Sequence, residues 1–509
     1  IRDIPELGPF KAEVMVTAPE KKLAIKGLDI NIGTDEIASI KLSGAVNDPI
    51  GMRGMDLEFS VRGNDLKNLE GPLRRKLPFH GPFEISGRVS DSGVKSYKIS
   101  DLKIAVVESD VGGSGEVTLS KNRPRLRADL SAKRLDMRSL AFNKGSGSTA
   151  GEKAEAAKSR GRLFSDDPLP LDILKQADVD IRLRADRVLL SNILLKDLSI
   201  IALLDNGHLT IKDIKSVMGE GTLRGRLDLR PHAKGTIMKT AFKIEQLEIG
   251  RMLKGLGKKD IAEGRIDLDV DLNSRGGSVA ELMAGLNGKV VLITGKGRIN
   301  NRHTNLLGGD LGSGLFRLLN PMKKETEYTE VNCLVSRFDI KEGLADCTAL
   351  VFDTDLMSVV GDGNIDLRTE ELDFSIKPSP KKGLGVNSVG KISISLGELA
   401  KPLKLSGTLS NPSLVLDPAK TAIALGKAIG GIALFGPIGI VAALAGGSSG
   451  DENPCLCAIE AAKKGVKVSD DKKVKNRNSV AEENTESVAQ GVEDAVKGIG
   501  DAFKKLFGN

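Results

Sequence analysis

The sequence predicts a mostly β protein whose strands form an elongated, curled, antiparallel sheet of repeated units. The first observation is a period-two alternation of apolar and polar residues, clearest in Gly264–Leu272, which is typical of strands with one apolar and one polar face. The second is composition, with 58 glycines among 509 residues and only 3% aromatics. The third is internal repetition, which favours an extended sheet over a compact globule.

One unit recurs about 73 residues later in the chain. The matching positions are Gly8–Phe10 with Gly81–Phe83, and Ile25, Leu28 and Ile30 with Ile99, Leu102 and Ile104. A second pattern, Gly-x-aliphatic-x-Leu, is interpreted as a turn glycine that opens an amphipathic strand. Its copies begin at Gly115, Gly225, Gly264 and Gly363.

The chain divides into six predicted segments. Residues 1–142 contain repeating β units, 143–167 form a flexible linker or insertion, and 168–418 form a second β domain. Short helices are expected in that domain near 278–286, with Ser278 as N-cap, and near 306–319. The predicted helical C-terminal region consists of an apolar helical hairpin (419–447), a basic polar linker (448–484) and an amphipathic helix (485–509).

Two C-terminal segments are candidates for membrane contact. Thr421–Gly446 is apolar except for Lys427 and is long enough to span a bilayer, but its glycines and Pro437 also fit an interfacial hairpin or a cap packed on the protein. The final helix fits either docking on the protein or binding to a membrane surface. The candidate contact residues are Ile432, Leu434, Phe435, Ile438, Phe503 and Phe507.

The charge pattern does not favour nucleic acid as a partner. Lys and Arg number 75 against 68 acidic residues, a net charge of +7, and most basic residues alternate with apolar ones. A nucleic-acid surface would concentrate them beside stacking aromatics. The basic stretch Lys463–Arg477 fits either a solvated segment or a contact with anionic lipid headgroups.

Four cysteines are too few to staple a scaffold of this length. A hairpin around Lys341–Gly343 would place Cys333 opposite about residue 351, so a disulfide between Cys333 and Cys347 is not expected. Cys455 and Cys457 have no second ligand pair nearby, so no zinc site is predicted.

No catalytic constellation emerges from the sequence. The four histidines, His80, His208, His232 and His303, are scattered and do not have metal-ligand spacing. His208 is predicted to lie at a hairpin turn, in Asp205–His208. Because no nucleophile can be paired with a base, the chain is predicted not to be an enzyme and to need no metal or cofactor.

A series of short pieces keeps a fixed order along the second half of the chain. The pieces are Leu169–Asp172, Ala177–Asp186, Leu204–Leu209, Leu286–Gly288, Arg337–Gly343, Gly361–Leu367, Gly407–Pro412 and Asn453–Cys455. In these pieces the chain resembles the C-terminal region of the AsmA family of Gram-negative envelope proteins. Residues 1–142 match only through the general repeat pattern.

The resemblance implies a periplasmic protein whose sheet curls into a groove, as in the chorein-type bridge lipid-transfer proteins. It also implies an inner-membrane anchor before Ile1, where the chain has neither an initiator Met nor a signal peptide. Such proteins are thought to help carry phospholipid towards the outer membrane. The expected partners are therefore phospholipid and the inner membrane, with the outer membrane as a further candidate.

Apolar strand faces would line such a groove and hold acyl chains without any catalytic residue. The candidate groove residues are Leu57, Phe59, Val61, Ile181, Leu183, Ile266, Leu268, Val270, Phe374 and Ile376. The same residues also fit a closed sandwich core, because period two does not distinguish a filled interior from a lipid-filled one. In that alternative the protein is a structural or chaperone-like scaffold for the assembly of outer-membrane proteins.

Overall fold

Strands dominate the computed structural model, which confirms the predicted mostly β, antiparallel fold class. The structure describes residues 8–18, 23–73, 77, 80–120, 123–138, 162–190, 193–233, 235–255, 257–258, 260–302, 327–355, 357–381, 403–415 and 454–464. The strands are β1 Phe10–Thr17, β2 Ala24–Ile32, β3 Ser39–Asp48, β4 Arg53–Gly63, β5 Phe83–Gly93, β6 Ser96–Val106, β7 Ser109–Thr118, β8 Arg125–Ala132, β9 Leu135–Asp136, β10 Asp178–Leu190, β11 Ile193–Asp205, β12 His208–Met218, β13 Gly221–His232, β14 Gly235–Glu248, β15 Ala262–Gly276, β16 Asn287–Asn300, β17 Tyr328–Lys341, β18 Leu344–Thr354, β19 Met357–Asp366, β20 Glu371–Pro380, β21 Leu403–Gly407 and β22 Pro412–Val415. The α-helices are α1 Glu70–Leu73, α2 Ile249–Gly255, α3 Val279–Ala284 and α4 Pro454–Lys464. Short 3₁₀ turns cover Leu66–Leu69 and Leu171–Lys175.

The chain forms two compact units. Unit 1 comprises residues 1–151, 170–218 and 223–231, and unit 2 comprises 152–169, 219–222 and 232–509. In unit 1, strands β1 to β8 pair antiparallel in chain order, and β10 to β12 do the same. Two pairings are parallel, those of β8 and of the short β9 with β10. Because β10 hydrogen-bonds β8, residues 170–218 belong with the N-terminal strands. The sequence had instead suggested that they are part of the second β domain, 168–418.

The Ile-x-x-Leu-x-Ile repeat contains a β-bulge in each copy. Between β2 and β3 the pairing register shifts between Ile25 and Leu28, and between β6 and β7 it shifts at the matching Ile99 and Leu102. Asp101, within the second bulge, has a left-handed φ of 52°. A bulge adds one residue and bends the strand, so the repeated sequence pattern marks the positions at which these strands bend.

The glycines of the second pattern do not lie at turns, which corrects the interpretation made from sequence. All four lie inside strands, in β7, β13, β15 and β19. Gly264 and Gly363 have φ values of 140° and 151°, a region in which residues with a Cβ are strained. These glycines allow a neighbouring strand's backbone to approach closely.

In unit 2, strands β14 to β22 pair antiparallel in chain order. Helix α3 lies within the region where the sequence predicted a Ser-capped helix, and the Ser278 hydroxyl accepts a hydrogen bond from the Glu281 amide at 3.1 Å. Cys333 lies opposite Asp353 and not residue 351, and a bulge between Arg337 and Phe338 shifts the register of β17 against β18 by one residue before Cys333 is reached.

Part of the predicted linker 448–484 is helical, so that prediction was wrong for Pro454–Lys464. Helix α4 has small or apolar residues at helical spacing, and among them Ala458 and Ala462 are fully buried against Val335 and Val351. A disulfide joins Cys333 to Cys455 in the same cluster. The expected absence of a bond to Cys347 agrees with the structure, in which Cys347 is a free, buried thiol.

The end of the predicted flexible segment 143–167 is also structured. Arg162–Leu169, here named the strap, belongs to unit 2 and is fixed by hydrogen bonds to Glu370, Gly277 and Ala280. A linker was predicted because the segment has few large apolar residues, but two of them, Leu163 and Phe164, pack on a core cluster of unit 2.

Several predictions lie outside the described residues. They are the helix near 306–319, the segments 419–447 and 485–509, His303, and the membrane-contact candidates Ile432, Leu434, Phe435, Ile438, Phe503 and Phe507. Within the part of the chain that is described, no helix combines the length and apolar character needed to cross a bilayer.

Strand β1 lies at an edge of unit 1. It pairs with β2, and no described strand pairs with its other side. Four apolar side chains of this strand are strongly exposed: Phe10 (78%), Val14 (47%), Met15 (65%) and Val16 (55%).

Candidate functional site

Apolar side chains stand opposite one another across successive strands on one face of unit 1. One such row runs from β2 to β7 through Ile32, Ile40, Val61, Ile85, Ile104 and Val111. A second row runs through Leu57, Val89, Ile99, Gly115, Ala128 and Ile181. A third joins Leu130, Leu183, Ile200 and Ile214. The structure therefore brings the candidates of β4 and β10 onto one face of unit 1.

The opposite face of unit 1 is charged. Arg88 approaches Asp56 at 3.5 Å, and Arg182 of β10 approaches Asp129 of β8 at the same distance. These ion pairs are half or more exposed, so they contribute little to stability. They do keep one face of the sheet hydrated, which leaves the apolar face as the surface available to a hydrophobic ligand.

The five candidates in unit 1 are half-buried. Leu57, Phe59, Val61, Ile181 and Leu183 contact their neighbours in the sheet but retain accessible surface. A side chain inside a sandwich core would be covered by the opposing layer and fully buried. The sides of these residues are therefore covered by adjacent strands, while part of each side chain stays open to a ligand.

Unit 2 has an apolar face of the same kind. One row runs through Val270, Val290, Phe338, Cys347, Gly363 and Phe374. Leu268 stands opposite Leu292 in the next row, and Ile266 follows it on the same side of β15. The candidates of β15 and β20 thus share one face, but Ile266, Leu268 and Val270 are half-buried whereas Phe374 and Ile376 are each only 6% exposed.

Two packed clusters explain why the β20 end of this face is covered. Near its margin, Leu286, Ile340 and Ala345 pack with Met283 of helix α3. Around Phe374, a cluster of Cys347, Leu372 and Leu409 is covered by Leu163 and Phe164 of the strap. Phe338 meets Phe374 edge to face at 6.1 Å. The sequence did not predict this covering, because the strap has no helical or strand periodicity.

The face of unit 2 opposite the apolar row carries helix α4, which packs on Val335 and Val351. A charged cavity of about 1040 Å³ lies beside the helix. Arg298 on the cavity wall forms a two-point pair with Glu263 at 2.8 Å and stacks over Tyr328 at 4.6 Å. Arg251 pairs with Glu248 at 3.0 Å. Arg265, Lys296 and Lys463 also line the cavity, as do Asp267 and Glu330, so five cations face four carboxylates and the charges nearly balance.

The structure also places His208 against a carboxylate. Its Nε2 atom lies 2.7 Å from Asp228 Oδ2 and 3.3 Å from the Thr210 hydroxyl. Burial acts to raise the pKa of Asp228, but the hydrogen bond and charge of His208, together with Arg230, hold that pKa below its usual range. The same ring nitrogen, Nε2, contacts both Asp228 and Thr210. In a catalytic triad, by contrast, a carboxylate binds one histidine nitrogen and the other nitrogen accepts the proton of the nucleophile. Asn206 and Gly207 form the predicted hairpin turn beside it.

Among the described residues, Cys347 carries a free thiol. Burial raises its pKa to about 12, and the negative charge of Asp362 adds to this effect. Since the thiolate is the nucleophilic form, Cys347 is an apolar member of its cluster and not a reactive group.

Comparisons with known proteins agree with this architecture. The model of the AsmA family matches residues 84–350, just over half of the chain. The AsmA family protein YhjG of Escherichia coli (strain K12) is 26% identical over 454 residues, which cover 86% of this chain and 63% of the relative. The chain thus spans less than two thirds of that relative's length. No solved structure matches.

The family match begins in β5 and ends in β18, so it includes part of the apolar rows of each unit. Together with the long alignment to a curated relative, this match is sufficient to assign the family. The chain belongs to the AsmA family.

Proposed function

We propose that the apolar faces of units 1 and 2 hold phospholipid acyl chains and that the protein assists phospholipid movement between the inner and outer membranes. Membership of the AsmA family indicates a Gram-negative envelope protein with a role related to the outer membrane. The single observation that carries the finer proposal is the half-buried state of the eight candidate residues in β4, β10 and β15, which in unit 1 lie on a face whose reverse side is charged.

The physical basis is the removal of apolar area from water, worth about 25 cal/mol per Å². An acyl chain lying across a row such as Val61, Ile85 and Ile104 covers the exposed part of each side chain. Contacts of this kind are not directional, so the lipid can move along the face without breaking hydrogen bonds. The proposal requires no catalytic residue.

The disulfide between Cys333 and Cys455 supports a periplasmic location, since such bonds persist in oxidising compartments. Anchoring to the inner membrane, and contact of the candidates Ile432, Leu434, Phe435, Ile438, Phe503 and Phe507 with a membrane, are parts of the proposal that the family suggests.

The proposal is tested by lipid extraction and native mass spectrometry of the full chain. We expect phospholipid to copurify, and V61D and L183D each to lower its amount at least about tenfold, because a carboxylate against an acyl chain must be desolvated. The matched control is I201D: Ile201 is also half-buried but lies on the charged face, opposite Arg182 and Asp213.

Circular dichroism and thermal unfolding must show that each variant is folded. A folded, lipid-free wild-type chain would contradict the lipid proposal and favour the scaffold for outer-membrane protein assembly. Equal lipid loss in I201D and L183D would show that the effect is not specific to the apolar face.

A further inference from the structure

The strap is held by a buried carboxylate. Glu370 is 1% exposed and lies in the turn between β19 and β20, with a left-handed φ of 65°. Its Oε2 and Oε1 atoms accept hydrogen bonds from the amides of Leu163 and Phe164, at 2.5 and 2.9 Å. Arg162 Nε lies 3.6 Å away. A buried carboxylate needs such partners to offset the loss of hydration, and Glu370 takes its partners from the strap.

Additional backbone bonds hold the other half of the strap. The Ser165 carbonyl accepts from the Ala280 amide at 3.0 Å, and the Leu169 amide donates to the Gly277 carbonyl at 2.8 Å. Pro168 forms a β-bridge with Ser278. The two halves of the strap therefore have separate anchors, and only the half carrying the apolar side chains depends on Glu370.

Leu163 and Phe164 lie where the apolar face of unit 2 would otherwise be open. They pack on Phe374, which shares a cross-strand row with the half-buried Val270. The same face is thus open at β15 and occupied by the chain itself at β20. The occupant consists of two side chains, Leu163 and Phe164.

We propose that the patch around Leu372, Phe374 and Leu409 is a further acyl-chain site, and that the strap is its exchangeable internal occupant. This inference rests on the proposed function. Lipid advancing along the apolar face displaces Leu163 and Phe164, and this half of the strap is freed when their amides leave Glu370 and Arg162 Nη2 leaves the Arg368 carbonyl, which it contacts at 3.1 Å. When the lipid leaves, the carboxylate recaptures both amides and closes the patch.

The test is photocrosslinking of the full chain in vesicles of phosphatidylethanolamine and phosphatidylglycerol that contain a diazirine-bearing phosphatidylethanolamine, followed by peptide mapping. In the wild type we expect labelling of β4, β10 and β15 and weak labelling of β20. In E370Q, which weakens the hold on the strap, labelling of β20 should rise at least about threefold. The matched control is E371Q, since Glu371 is exposed and its side chain contacts Thr369.

A second measurement, hydrogen exchange, uses the wild-type protein and therefore does not require E370Q to fold. Lipid loading of the wild type should accelerate hydrogen exchange of the Leu163 and Phe164 amides, while the Leu169 amide, anchored on Gly277, keeps its protection. If E370Q folds and labels β20 no more than the wild type, or if loading leaves exchange at Leu163 and Phe164 unchanged, the strap is a permanent part of the core and the inference is overturned. Absence of labelling on every strand would count against the lipid function itself, whereas labelling of β4, β10 and β15 that never reaches β20 counts against the strap alone.

Discussion

Gly363 shows how a single residue can determine strand spacing. Its φ is 151°, and a Cβ at this position would overlap the carbonyl oxygen of Asp373 on the neighbouring strand. We expect G363A to lower the free energy of unfolding by about 1–3 kcal/mol, through backbone strain and displacement of β20. Urea unfolding followed by circular dichroism measures this change. The control is G295A, where a Cβ would meet nothing within 4 Å, and a comparable loss there would contradict the explanation.

Asp362 gives a pH-dependent prediction. Burial raises its pKa, and the nearby Asp346 and Asp373 raise it further. The charged form is therefore less favourable in the folded than in the unfolded chain, so Asp362 lowers stability above its folded pKa but not below the unfolded value of about 3.9. We expect D362N to raise the unfolding midpoint at pH 7, and this gain to disappear as the pH falls below about 4.

The measurement is thermal unfolding of both proteins across that pH range. D213N is a suitable control, because Asp213 is paired with Lys215 at 2.6 Å on the surface and its removal offers no such gain. A gain for D362N that is equal at pH 4 and pH 7 would exclude charge burial as its cause.

Helix α4 is the element whose position depends most on a covalent bond. The Cys333–Cys455 disulfide closes a loop with a sequence separation of 122 and holds the helix over Val335 and Val351. We expect C455S to lower the stability of unit 2 by about 2–5 kcal/mol and to accelerate amide exchange in α4. Reduction of the wild type should have the same effect, and reduction of C455S should add nothing. An additional loss in C455S would indicate a different target of the reductant.

The sequence predicts strands better than it predicts what covers them. Period-two alternation identified the apolar side of β4, β10, β15 and β20 correctly, because side-chain direction in a strand follows directly from residue spacing. The sequence showed the two copies as a repeat but did not show that each contains a bulge, since the residues between Ile and Leu differ: Lys26 and Gly27 in one copy, Ser100 and Asp101 in the other. The strap was missed because its fixing partner, Glu370, lies about 200 residues away in sequence.

The disulfide partner of Cys333 could not be predicted from the sequence either. Pairing across a hairpin depends on local register, which can be counted from the turn, but the Cys455 partner comes from a separate helix. Only the packing of helix α4 on β17 and β18 brings Cys455 close to Cys333. The grouping of β10 to β12 with the N-terminal strands was missed for a similar reason, since the parallel pairing of β8 with β10 has no local signature.

At the scale of the whole molecule, the apolar rows and the ion pairs lie on different sides of the strands, and in unit 2 the reverse side also carries the apolar cluster under helix α4. The rows that contain Val61, Leu183 and Val270 are made of uncharged residues, while the ion pairs lie on the reverse faces. Lipid uptake that depends on the apolar faces should therefore change less than about twofold between 50 and 500 mM NaCl, because salt screens charges and not apolar contacts.

Phosphatidylethanolamine and phosphatidylglycerol should accordingly be taken up to similar extents in a vesicle depletion assay at both salt concentrations. A tenfold loss at high salt, confined to the anionic lipid, would indicate that headgroup recognition dominates. The basic stretch Lys463–Arg477 would then be the first segment to neutralise.

The exposed edge at β1 has a practical consequence for handling the protein. A strand that pairs with a described strand on one side only, and that exposes Phe10, Met15 and Val16, is a template for a strand from another molecule. Concentrated preparations will tend to join edge to edge, and the resulting aggregates would carry detergent or lipid trapped between chains. Monodispersity by light scattering therefore has to be established before any bound lipid is counted per molecule.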